Sequence, residues 1–182
     1  GSGSLALEHF QVPRYILFGP EALEQAPQAL AKMGLKGKAL VISGGGATAR
    51  IADRFCSILE DSRFETSRFI VESKIADVAE VLEASRVAGR ERTRFILAVG
   101  GGRIIDVGKL VAANLGQPYV SVPTSASHDG IASPSVSFLL KRSAMKAGIN
   151  VSRLTPPLGI IADTKVISSA PPITFRSGCG DI

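Results

Sequence analysis

The stretch AVGGGRIIDVGKLVAANLGQPYVSVPTSASHDGIASPSVS, residues 98–137, decides the fold. It opens on the end of an apolar strand (Arg94–Val99), passes a triple-glycine turn (Gly100–Gly102) and enters a helical pattern (Arg103–Asn114). A second apolar strand, Tyr119–Val122, follows and releases the polar loop Thr124–Gly130. Short apolar runs bounded by Gly and Pro read as buried strands, and apolar residues at helical spacing read as helices. Strand, helix, strand in that order is a βαβ unit, the building block of a parallel sheet.

Working outward, the same alternation recurs. Arg14–Phe18 (RYILF) reads as a strand, followed by a helix from Pro20 to Met33 with proline at its start. Lys38–Ile42 (KALVI) is a buried strand ending in a glycine turn, with helical periodicity over 47–60. Arg63–Val71 is a third strand and Ile75–Ala88 a third helix. Beyond Pro134 the pattern weakens. Ser135–Leu140 reads as a strand and the basic segment Lys141–Arg153 as an exposed loop or hairpin. Leu158–Ala162 is a further strand, ending in the helix N-cap signal Asp163-Thr164. The expected fold class is α/β, a Rossmann-like parallel sheet with helices on both faces, because right-handed crossovers distribute them so. Ligands of such sheets bind at the carboxyl ends of the strands. The turns Ser43–Gly46, Gly100–Gly102 and Thr124–Gly130 all follow strands, so they should converge on one edge.

Composition sets the class. The 182 residues are 45% hydrophobic and 20% charged, enough for one domain with a sizeable core. Tryptophan is absent and aromatics are 5%, so that core must be aliphatic. The formal charge of +5 suits either steering of anionic ligands or a plain solvated surface. Basic residues do not cluster with aromatics, which argues against nucleic acid. No apolar run approaches a membrane span, and no signal peptide is visible. Cys56 falls on an apolar helix face and Cys179 between glycines, without zinc-type spacing. A reducing cytoplasm is the expected compartment. Residues 1–4 (GSGS) resemble an expression scar, residues 5–170 the α/β domain, and residues 171–182, after Pro171-Pro172, the opening of a helical domain.

The motifs admit specific chemistry. Glycines at a strand–helix junction remove the Cβ atoms that would block a phosphate, and the helix N-terminus presents free N–H groups and a positive dipole end. Gly100–Gly102 fits this use, or a tight turn; it is not the GxGxxG fingerprint. Asp106 and Lys109 read as a surface i,i+3 ion pair. Ser43–Gly46 could take the adenosine end of a dinucleotide, or be a flexible loop. Thr124, Ser125, Ser127, His128 and Asp129 gather hydroxyls, an imidazole and a carboxylate suited to ribose, phosphate or substrate hydroxyls, although His128 could equally cap a loop. Ser133 precedes proline and should be extended. Asp181, in Gly-Cys-Gly-Asp, would by itself be read as a helix cap.

Together, AVGGGRIIDVGK (98–109), VPTSASHDGIASP (122–134), LGIIADT (158–164) and SGCGDI (177–182) resemble the sn-glycerol-1-phosphate dehydrogenase family, within the iron-type alcohol dehydrogenase and dehydroquinate synthase superfamily. The resemblance implies an N-terminal α/β dinucleotide domain and a C-terminal all-helical domain. It implies reduction of dihydroxyacetone phosphate to sn-glycerol 1-phosphate for archaeal-type lipids, with NAD or NADP and a divalent metal, usually Zn2+. By resemblance, Gly101, Gly102, Arg103, Ile104, Ile105 and Asp106 bind the dinucleotide, with Thr124, Ser125, Ser127 and Ser133 also in contact. Asp129 contacts substrate, and Asp181 ligates metal and touches substrate; both are the implied catalytic residues. The family's other metal ligands are two histidines of the helical domain, and neither His9 nor His128 stands at a matching place. The chain therefore reads as the dinucleotide-binding half of such an enzyme, expected to be inactive alone. A related glycerol or polyol dehydrogenase, a dehydroquinate-synthase-like enzyme and a stand-alone nucleotide-binding module are the competing readings. A small phosphorylated substrate is the expected partner, and a homo-oligomer is allowed. No acid follows Lys38–Ile42, where it would accept the ribose 2′-hydroxyl and repel a 2′-phosphate, so NADH and NADPH should both be accepted.

Overall fold

The computed structural model describes residues 12–126 and 130–169. Among them, six strands form one sheet: β1 (Tyr15–Gly19), β2 (Lys38–Gly44), β3 (Glu65–Val71), β4 (Phe95–Gly100), β5 (Tyr119–Pro123) and β6 (Gly159–Asp163). Their order is β1-β6-β5-β4-β2-β3 and every neighbouring pair is parallel. The helices are α1 (Ala22–Lys32), α2 (Gly46–Asp61), α3 (Val78–Glu91), α4 (Gly102–Leu115), α5 (Phe138–Lys146) and the short α6 (Thr164–Ser168).

Strands β4 and β5 are buried along their whole length, and β2 from Ala39 onward. That explains their unbroken apolar runs, because helices cover both faces. On one face Val41, Leu97, Val99, Val120 and Val122 pack against Leu23 and Leu30 of α1 and Phe55 and Leu59 of α2. On the other, Leu40, Ile42 and Ile96 pack against α3, α4 and α5 through Val81, Ile104, Val107, Leu110 and Leu140. Helices on both faces are thus as expected.

The region after Pro134 departs from expectation. Ser135–Leu140 is not a strand and Lys141–Arg153 is neither a plain loop nor a hairpin. Helix α5 runs from Phe138 to Lys146, and a single 3-10 turn covers Val151–Arg153. The reason is the i,i+4 pair Leu140 and Ala144, both buried with Ile149 against the α3–α4 face. Asp163 caps α6 as its sequence signalled, accepting from Lys165 N at 2.9 Å and Val166 N at 3.4 Å. Its second oxygen accepts from Leu23 N at the start of α1, at 3.2 Å.

Candidate functional site

Strands β2 and β4 lie side by side, with Ser43 opposite Val99. Their following helices leave on opposite faces, α2 on the first and α4 on the second. A crevice opens where helices diverge this way, at the carboxyl ends of the strands. Its two walls are built alike. The N-cap of α2 is Gly45, with φ −83° and ψ −173°, and that of α4 is Gly101, with φ −86° and ψ −169°. Neither helix start receives a side-chain capping bond. Two sets of first-turn amides therefore face the crevice with their dipoles aligned for an anion.

Space is available for that anion. A Cβ built at Gly45 or Gly102 would meet nothing within 4 Å, and one at Gly101 only Ser125 Oγ at 3.5 Å. Gly100 is different: a Cβ there would sit 2.8 Å from Ile104 Cβ, so it serves the packing of α4. Arg103 spans the crevice. Its Nη2 lies 3.2 Å from where a Gly44 Cβ would stand, and its Nη1 is buried without a hydrogen-bond partner among the described residues. A cation thus bridges the two glycine turns. Ile104 and Ile105 are buried in the core, so only their main chain can face a ligand.

Strand β5 adds the third wall. Thr124 N donates to Gly100 O at 3.1 Å, which sets Thr124 and Ser125 beside the α4 turn. The described parts of the three turns, with Thr124 and Ser125 for the third, therefore do converge on one edge. Ser133 lies further along the same connection, its Oγ 3.2 Å from Ser135 Oγ. Ser127, His128, Asp129, Cys179 and Asp181 lie outside the described residues.

Asp106 and Lys109 are not the surface pair their spacing suggested. The Lys109 side chain is fully buried, and that of Asp106 is 17% exposed. Lys109 Nζ donates to Ser135 O at 2.6 Å and stands 3.8 Å from Asp106 Oδ1. Asp106 Oδ2 accepts from Ser137 N at 3.2 Å. Burial pushes the Asp106 carboxyl up, against the Ser137 amide and the Lys109 charge. Burial likewise pulls the Lys109 ammonium down, against Asp106. The available signal was context: Lys109 lies in IIDVGKLVAA, a helix apolar on nearly every side. Sequence reasoning also missed Arg68 on β3. It donates to Val41 O and to Ser43 Oγ, each at 3.0 Å, and fixes the end of β2 beneath the crevice.

Among the described residues, no group of three or more His, Cys, Asp or Glu is placed to hold a metal ion. A dinucleotide is different: open glycine turns, uncapped helix starts and a guanidinium whose Nη1 has no partner among the described residues fit its pyrophosphate. Among the described residues, no helix is long and apolar enough to cross a membrane.

Comparison with known proteins gives the family and the fold. Residues 17–171 match the family described as iron-containing alcohol dehydrogenase. Glycerol-1-phosphate dehydrogenase (NAD(P)+) of Caldivirga maquilingensis is 37% identical, over 97% of this chain and 47% of its own length. The enzyme of the same name from Methanospirillum hungatei is 35% identical, over 94% of this chain and 45% of its own. The chain spans about half the length of the curated relatives it matches. Glycerol dehydrogenase from Schizosaccharomyces pombe shares the fold, with TM-score 0.75 and 22% identity over 94% of this chain and 42% of that one. Alcohol dehydrogenase from Oenococcus oeni does so at TM-score 0.74 and 15% identity, over 93% and 49%.

Proposed function

Because the chain belongs to the iron-containing alcohol dehydrogenase family, we propose that it is the NAD(P)-binding part of a glycerol-1-phosphate dehydrogenase. Residues 5–170 are the dinucleotide-binding domain in this reading, and 171–182 open the helical domain. The observation that carries it is the pair of uncapped, glycine-started helices flanking the β2–β4 crevice. The amides of Gly102 and Arg103 hold the pyrophosphate, and Gly101 gives it room. Thr124 and Ser125 bind beyond it on the β5 side, with Ser127 and Ser133 completing the contacts. The adenosine ribose lies over Gly44, where no carboxylate repels a 2′-phosphate, so NADH and NADPH are both accepted.

When bound, the reduced nicotinamide supplies a hydride. Asp129 orients dihydroxyacetone phosphate, whose charge suits a chain of formal charge +5. Asp181 is one ligand of the metal, proposed as Zn2+. A catalytic zinc takes three protein ligands, and among the described residues no group of three or more His, Cys, Asp or Glu is placed to hold one. These 182 residues are therefore proposed to bind dinucleotide without turnover, in the cytoplasm. Calorimetric titration with NADH and NADPH tests the reading: saturable binding of both supports it, and binding of neither overturns it. Loss of reduced-nicotinamide absorbance on addition of dihydroxyacetone phosphate and Zn2+ would overturn the proposed lack of turnover.

A further inference from the structure

The segment 130–137 crosses the site edge between β5 and α5, and side chains hold it there. Among the described residues, 130–136 makes no main-chain hydrogen bond to other main chain. Instead Lys109 Nζ donates to Ser135 O at 2.6 Å, Ser137 N donates to Asp106 Oδ2 at 3.2 Å, and Ser121 Oγ on β5 donates to Ile131 O at 2.9 Å. The loop passes directly over the charge pair. A Cβ at Gly130 would lie 3.8 Å from Lys109 Nζ and 3.9 Å from Asp106 Oδ1. Lys109 itself is 1% exposed, in the middle of a helix whose neighbours are apolar. An ammonium is a costly way to fill such a position, and an apolar side chain of similar volume would be no less stable there. What the ammonium adds is a directed bond to the main chain of that loop.

We infer that Lys109 is a positioning residue, a buried clasp that holds loop 130–137 in place for dinucleotide binding without touching the dinucleotide. This rests on the dinucleotide reading above. The sheet order gives the clasp a directional consequence. Across the edge, β2, β4 and β5 follow in that order. The adenosine and pyrophosphate lie on the β2 and β4 turns, and the rest of the dinucleotide extends toward β5 and the clasped loop. Loosening the loop should therefore weaken a whole dinucleotide and spare its ADP half.

The test compares wild type with Lys109→Met, titrated with NADPH and separately with ADP, with hydrogen exchange followed over peptides covering 130–137. The expected result is about tenfold weaker NADPH binding, unchanged ADP binding and faster exchange confined to the loop. Equal loss for NADPH and ADP would mark a merely structural role and overturn the clasp. So would unchanged exchange in the loop. If wild type binds neither ligand, the dinucleotide reading fails, and with it the role in cofactor binding. Unchanged loop exchange with intact NADPH binding would instead overturn the clasp alone. Should Lys109→Met fail to fold, Ser121→Ala removes only the β5 anchor and carries the same comparison.

Discussion

Substituting Gly101 by valine separates the ligand role of the α4 turn from its structural role. The backbone at Gly101 is extended, at φ −86° and ψ −169°, which any residue adopts. A Cβ there meets only Ser125 Oγ, at the ordinary contact distance of 3.5 Å. Valine at an N-cap is poorer than glycine by about 1 kcal/mol. For a chain of this size that lowers Tm by about 2–4 °C, so the protein stays folded. The two valine methyl groups, however, occupy the space through which the pyrophosphate reaches the Gly102 and Arg103 amides. Losing one or two such bonds costs about 1–3 kcal/mol, or about tenfold to hundredfold in affinity. The counterpart is Gly100→Ala, whose Cβ would lie 2.8 Å from Ile104 Cβ. It should cost about 1–3 kcal/mol of stability through overpacking. Calorimetry with NADPH and thermal unfolding, run on both variants, make the comparison. A folded Gly101→Val protein with wild-type NADPH affinity would refute the pyrophosphate assignment.

Other expectations follow from the same geometry. Gly44→Asp puts a carboxylate beside Arg103 Nη2, so it should weaken NADPH more than NADH in parallel titrations; equal weakening would place the ribose elsewhere. Asp163→Ala removes acceptors from the starts of both α1 and α6. It should cost about 2–4 kcal/mol in urea unfolding, two lost caps at about 1–2 each, without altering NADPH affinity. The pH dependence of stability should report Lys109, whose folded pKa is pulled below 10.5 by burial. Folding then favours the neutral amine, so its contribution is fully present above pH 10.5 and is lost as pH falls through the folded value. Wild type should gain stability relative to Lys109→Met as pH rises from neutrality toward 10.5, and a flat difference would count against the burial of that charge.

Most of the fold was legible because β2, β4 and β5 are buried on both faces, and such strands announce themselves as unbroken apolar runs between turns. The Asp163 cap was legible because capping is local, although its reach to α1 was not. Helix α5 was misread because its buried stripe is short: Leu140 and Ala144 face inward while Phe138 and Leu139 stay 72% and 75% exposed. An apolar FLL run of mixed burial mimics a strand. In the site, the glycine turns were readable from residue type and position. The inward turn of Lys109 was signalled only by its apolar helical context, because an i,i+3 spacing says nothing about which face of the helix is covered. Arg103 was found by resemblance, yet its span to Gly44 depends on β2 and β4 being neighbours, a non-local fact.

Among the described residues, strand β1 pairs only with β6, and the bond from Leu23 to Asp163 closes the same gap over 140 residues. Of the described strands, β1 is synthesised before the other five and is among the last to find its partner. At ribosomal speeds that interval is about 7–30 s. Throughout it, Tyr15–Phe18 offers an apolar strand with both edges open, a standing invitation to mispairing. Chains interrupted before Asp163 would keep that strand permanently unmatched. The parallel topology thus makes β6 the lock on β1 and on the start of α1.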